Sequence, residues 1–246
     1  MDGLRHRQYG ESRRNSYSPD LRLPRQRPTL LHYVSDLWVC SWRRKHAHGE
    51  VYVVRYADDL VAGFQRRRDA IVMHRALTDR VAKFGLQLHP DKTRVLEFGR
   101  FSLEERARRG LSKPATFEFL GFLHIMGKSR GGKAMLRRRT SRQKRQAKLV
   151  RLKEELRRRR HRPVAEQHAW LSQVLEGQYR YYGVPTNHRA LAQFRRRVVR
   201  LWRRSLERRS QRAGFTLARW RALLERFPLP EPRIMHPWPD QRFATR

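Results

Sequence analysis

Two adjacent aspartates, Asp58 and Asp59, are the most chemically pointed feature of this chain. They follow Tyr56-Ala57 within the run VYVVRYADDLVAGF, residues 51–64. Residues 51–56 and 60–64 are rich in β-branched and aromatic side chains, so the spacing predicts a hairpin with Ala57-Asp58-Asp59 at its turn. Neighbouring anions repel and add nothing to folding, and a divalent cation supplies a chemical reason to keep them together. Mg²⁺ takes hard oxygen ligands and needs only one or two protein carboxylates. In phosphoryl and nucleotidyl transfer, two such ions stabilise the attacking and leaving oxygens. The competing reading is a solvated turn, because Asp is a common turn residue. A bare Asp-Asp pair favours the turn; Tyr-x-Asp-Asp between two apolar strands favours the metal.

Charge points to the partner. Among 246 residues, 58 Lys and Arg face 22 Asp and Glu, a formal net charge of +36. A domain carrying that charge repels itself and seeks a polyanion. Nucleic acid is the first candidate, bound through counterion release and weakened by salt. An anionic membrane surface is the second, although no apolar run approaches the length of a transmembrane helix. Cys40 is the single cysteine, so an internal disulfide is excluded and no Cys–His zinc spacing exists. The N-terminal MDGLRHRQYGESRRNS lacks the apolar core of a secretion signal. A cytoplasmic protein is expected.

Several elements must position the aspartates. Residues 1–28 are Arg-rich and interrupted by Pro19, Pro24 and Pro28, which predicts a disordered basic tail. Thr29 is placed to cap a helix whose apolar side includes Leu30, Leu31, Val34, Leu37 and Trp38. Residues 69–84 read as an amphipathic helix with Ala70, Met73, Leu77, Val81 and Phe84 on one face, stopped at Gly85. Short strands are expected at 86–88 and 94–98 around a His89-Pro90-Asp91 turn, and an exposed charged connection at 102–110. Residues 116–125 read as a strand pair bent at Gly121, with a hairpin loop at 127–132 leading to a strand over 134–139. From Thr140 the pattern turns helical and basic, with a helix to about Arg160, another over 166–182, a third after Asn187 and a short last one from Thr216. The first three are long enough to bury their apolar stripes against one another as a bundle.

Ordered motifs then give the chain a resemblance. Tyr56-Ala57-Asp58-Asp59 resembles the YADD catalytic hairpin of reverse transcriptases. LHYVSDLW (31–38), KFGLQLHPDKTRVLEFGRF (83–101), FEFLGF (117–122), GQYRYYGVPTN (177–187), RRSQR (208–212) and FPLPEPRI (227–234) resemble, in order, segments of the bacterial group II intron reverse transcriptase/maturase family. The resemblance implies an α+β fold: a partial polymerase palm over 29–139, an α-helical thumb or maturase-specific bundle over 140–234, and a tail over 235–246. It implies an RNA-directed DNA polymerase in which Asp58 and Asp59 hold Mg²⁺ and act catalytically. Lys92 is implied near the incoming dNTP, and Leu120-Gly121 in the primer grip.

Nucleic-acid contact is expected at Tyr56, Leu120, Gly121, Arg137, Arg138, Arg139, Arg142, Lys144, Arg145 and Lys148, the basic members of this group having few acids nearby. Intron RNA and an RNA/DNA primer-template are the implied partners. The chain departs from the family at its start: LRLPRQRPT before Leu31 matches neither the loop expected there nor the strand carrying an earlier aspartate. Asp20, in SPDLRL, lacks that hydrophobic strand. The fingers and that aspartate are therefore read as missing, no endonuclease is seen after Arg246, and little or no polymerase activity is expected of the chain alone. Whether a second chain supplies the missing parts stays open. The alternative function is an inactive RNA-binding maturase remnant.

Overall fold

A computed structural model describes residues 32–209 and 215–238. The expected basic tail, the Thr29 cap with Leu30 and Leu31, part of RRSQR and most of the C-terminal tail lie outside them. The described chain is mixed α/β, with seven α-helices and small antiparallel sheets. It divides into two compact units, Met1–Thr93 and Arg94–Arg246. That division lies upstream of the compositional change at Thr140.

In the first unit a π-helical turn, His32–Leu37, runs into α1 (Trp38–His46). Strands β1 (Val51–Tyr56) and β2 (Asp59–Phe64) form a two-stranded antiparallel hairpin, followed by α2 (Arg67–Ala82). Alternation along β1 assigns Val51, Val53 and Arg55 to one face and Tyr52, Val54 and Tyr56 to the other. The first face packs inward, where Val53, Ala62 and Phe64 meet Val39, Trp42 and Met73 from the two helices. The second lies open, with Tyr52 66%, Val54 55% and Tyr56 66% exposed.

Asp69 in the first turn of α2 is buried and accepts hydrogen bonds from the His48 and Gly49 amides, at 2.9 and 3.0 Å. Its carboxylate thereby anchors the loop that delivers β1. Burial alone would raise the Asp69 pKa, but these bonds and the His48 ring outweigh it and leave it lowered. Gly85, with φ 68°, ends the α2 region as the sequence predicts: Leu86 N–H returns to Val81 O and Gly85 N–H to Ala82 O. Phe84 falls beyond the helix and is exposed, with the Arg80 guanidinium over its ring.

Three expectations are corrected between α2 and the next sheet. Residues 86–88, in the first unit, and 94–98, which open the second, form no strands. Their β-prone side chains lack a ladder partner, and propensity alone does not make a strand. The supposed connection at 102–110 is instead α3 (Ser102–Arg108), with Glu104 and Glu105 in its first turn. Arg106 and Arg109 tie that region to Glu97, and Gly110 closes the turn at φ 66°.

Strands β3 (Phe117–Phe119), β4 (Phe122–Lys128) and β5 (Ala134–Thr140) form an antiparallel meander. Helices α4 (Arg142–Arg158), α5 (Val164–Tyr182), α6 (His188–Glu207) and α7 (Leu217–Arg226) follow. Leu149, Leu152, Leu156, Leu171, Leu175, Leu191, Phe194, Val198 and Trp202 build one core among them. The 3.6-residue spacing of those apolar positions is the reason the four helices associate. Their buried polar groups are matched: Trp202 Nε1 donates to Gln167 Oε1 at 3.0 Å, and Gln167 Nε2 donates to carbonyls at the end of α4. Thr216 caps α7 by accepting from Arg219 N. Asn187 occupies the position before α6 but does not cap it. Its buried amide bonds Thr140 on both sides, accepting from the backbone N–H and donating to the hydroxyl, and so fastens β5 to the α5–α6 turn.

Candidate metal-binding turn and basic surface

The β1–β2 hairpin has a two-residue turn, Ala57-Asp58, with Tyr56 opposite Asp59 in the register. Asp59 is thus the first residue of β2 rather than part of the turn, and it shares the outer face with Tyr56, Val54 and Val61. Asp58 and Asp59 are both exposed, and among the described residues neither carboxylate makes a hydrogen bond or an ion pair. Ala57 has φ 54°, a left-handed conformation that glycine adopts freely and alanine does not. The turn is therefore strained at the residue immediately before the carboxylates.

The turn is held from beneath. Arg55, on the inner face of β1, donates Nη1–H to the Ala57 carbonyl at 2.8 Å. Its Nε and Nη2 donate to the two oxygens of Asp36 at 2.6 and 2.5 Å. The Arg55 hydrogen bonds, with smaller help from His32 and Ser35 and against desolvation, lower the Asp36 pKa to about 2. Neither Arg55 nor Asp36 stood out as a site residue in the sequence. The only available hint was an arginine one position before Tyr56.

The donor set suits one class of ion. Two carboxylates on consecutive residues offer hard oxygens, which is what Mg²⁺ takes while keeping most of its water. Among the described residues no group of three or more His, Cys, Asp or Glu could hold a metal, so the pair has no third such ligand beside it. Lys92 lies on an exposed turn in which the amides of Lys92 and Thr93 both return to the His89 carbonyl. No hydrogen bond links its side chain to the aspartates.

In the second unit, Leu120 and Gly121 form the β3–β4 turn, both with positive φ, 51° and 75°. Its backbone is occupied by protein. Tyr181 Oη donates to Leu120 O at 3.0 Å and Ser141 N donates to Gly121 O at 2.9 Å. A Cβ on Gly121 would lie 2.7 Å from Tyr182 Oη, so the close approach that glycine permits is made by Tyr182.

The basic residues divide by the geometry of their elements. Successive β5 side chains alternate, so Arg137 and Arg139 share one face and Arg138 takes the other. Arg137 lies over Gly127 and donates to the Lys128 carbonyl at 2.6 Å, while Arg138 exchanges backbone hydrogen bonds with the Thr186 hydroxyl. Arg139, Arg142, Lys144 and Lys148 are exposed and make no ion pair among the described residues. Arg145 donates to Gln193 on α6. Burial, then repulsion from Arg197 and Arg142, lowers the Arg145 pKa. That repulsion exposes what the sequence reading passed over: Arg196, Arg200 and Arg204 form an exposed i, i+4, i+8 row on α6, with Arg197 beside it.

No helix among the described residues is long and apolar enough to cross a membrane. No curated protein and no solved structure gives a significant match to this chain. A family model does match. Residues 27–124, less than half of the chain but including the whole β1–β2 hairpin, match the reverse transcriptase (RNA-dependent DNA polymerase) family.

Proposed function

We propose that the chain is part of an RNA-directed DNA polymerase of the group II intron type, with Asp58 and Asp59 as the Mg²⁺ ligands and little extension expected of the chain by itself. The observation that carries this reading is the exposed, unpaired carboxylate pair on a strained turn inside the reverse transcriptase match. Bound Mg²⁺ would supply charge stabilisation for attack of a primer 3′-hydroxyl on the α-phosphate of a dNTP. The chain's own contribution is to fix two anions in solvent at one turn and leave them unneutralised. Tyr56, across the register from Asp59, offers an exposed ring beside them for a nucleotide. Lys92 is the residue the family resemblance assigns to the incoming triphosphate.

A second reading, an RNA-binding maturase without chemistry, is favoured by the basic residues of β5, α4 and α6. Arg139, Arg142, Lys144 and Lys148, joined by the α6 row, offer unpaired cations to intron RNA phosphates. Primer extension on an RNA template with Mg²⁺, together with RNA binding across a salt series, separates the two. Extension that Asp58→Asn abolishes supports the polymerase. Salt-dependent RNA binding without extension supports the maturase. Neither activity overturns both.

A further inference from the structure

We propose that Arg55, held by Asp36, is a positioning residue for the Asp58–Asp59 pair. The inference rests on the metal-binding reading given above. A guanidinium is a rigid planar fork, so fixing Nε and Nη2 on one carboxylate also fixes where Nη1 points. In this chain Nη1 points at the Ala57 carbonyl, 2.8 Å away. That carbonyl shares a peptide plane with the Asp58 amide, so its position orients the backbone from which the first carboxylate hangs.

The conformation needs such support. Ala57 at φ 54° sits in a region unfavourable to an L-residue, and strained residues persist only where their surroundings over-determine them. Asp36 is itself placed by the π-helical turn His32–Leu37, an uncommon geometry that recurs at functional sites. Ser35 Oγ and the His32 ring also reach its carboxylate, at 3.3 and 3.2 Å.

Asp36 has a second consequence. An unpaired arginine three residues from Asp58 would be the nearest counter-ion for the metal ligands. The fork on Asp36 keeps that cation occupied on the inner face of β1, while Asp59 belongs to the outer face. The carboxylates are left to solvent.

The test uses the full chain with Mn²⁺ alone as probe. Paramagnetic broadening of the Asp58 and Asp59 amides locates the ion, and a titration gives its affinity. Arg55→Gln should weaken Mn²⁺ by about tenfold or more, the usual scale for residues that orient metal ligands. Coulomb's law alone predicts the opposite sign, because removing a cation beside two carboxylates should tighten the ion. Arg55→Lys keeps the charge but not the fork, and should weaken Mn²⁺ as well; it carries the test if the glutamine variant fails to fold. Asp69→Asn, which loosens the same unit away from the turn, should leave the affinity unchanged. Unchanged or tighter binding in the Arg55 variants overturns the inference and leaves the metal site standing. Loss of affinity in Asp69→Asn equal to that in the Arg55 variants overturns it too, reducing Arg55 to a general stabiliser. If Mn²⁺ broadens neither Asp58 nor Asp59 in the unsubstituted chain, the metal reading itself has failed.

Discussion

Ala57-Asp58 joins β1 to β2, and Leu120-Gly121 joins β3 to β4; each turn starts on a non-glycine residue with positive φ, 54° and 51°. Around the first, Arg55 is the one side chain among the described residues bound to the turn backbone, it approaches from the inner face, and the carboxylates stay exposed. Around the second, Tyr181 and Ser141 take the carbonyls and Tyr182 closes over the glycine. Phe122 extends that seal, its ring 5.9 Å from Tyr181 and 5.0 Å from Tyr182. The same backbone strain thus serves two ends. A turn whose acceptors and Cα are covered by its own chain is already occupied, whereas one braced from a single side can present charge to a ligand.

Substitutions at the two turns should therefore act in opposite directions. Gly121→Ala, placed at positive φ against the Tyr182 hydroxyl, is expected to destabilise the chain by about 2–3 kcal/mol, read as a lower urea midpoint. No change would mean that the Tyr182 seal is loose. Ala57→Gly should instead stabilise by about 0.5–1 kcal/mol, the relief of left-handed strain less the entropy glycine loses on folding. A fall in the urea midpoint would show that Ala57 is not strained.

The smallest effect expected is one of pH, on the sheet behind the sealed turn. His124 stacks on Phe117 at 4.8 Å, and its Nδ1–H donates to Phe122 O. Burial first, then Arg138, pushes its pKa down, and the carbonyl contacts oppose this only partly. A base with a depressed folded pKa favours the unfolded chain once protonated. Its stabilising contribution is complete above the ordinary histidine pKa near 6.5 and is lost as pH falls from there toward the folded value. His124→Phe should flatten that slope in urea midpoints measured between about pH 7 and 5. An unchanged slope would place the titration elsewhere.

What the sequence revealed was mostly local. The hairpin was legible because a period of two and a Tyr-x-Asp-Asp turn fit within fourteen residues, 51–64. The long basic helices were legible from Leu149, Leu152 and Leu156 and from the recurrence of Leu191, Phe194, Val198 and Trp202. Residues 86–88 and 94–98 misled because strand formation needs a partner, which propensity does not provide. Residues 102–110 misled because their charges, read as solvation, include the Arg106 and Arg109 contacts with Glu97 that anchor a helix. The Arg55–Asp36 fork spans nineteen residues and depends on a π-helical turn that no simple periodicity announces. The three β5 arginines looked like one patch in sequence, and strand alternation splits them.

Of the two turns, the aspartate turn is the one proposed to meet a divalent cation. A Mg²⁺ titration of the full chain followed by amide chemical shifts tests it most directly, with the sealed turn as internal control. Saturable shifts are expected at Asp58 and Asp59 and none at Leu120 and Gly121. Absence of shifts at the aspartates, or equal shifts at both turns, would contradict the proposal.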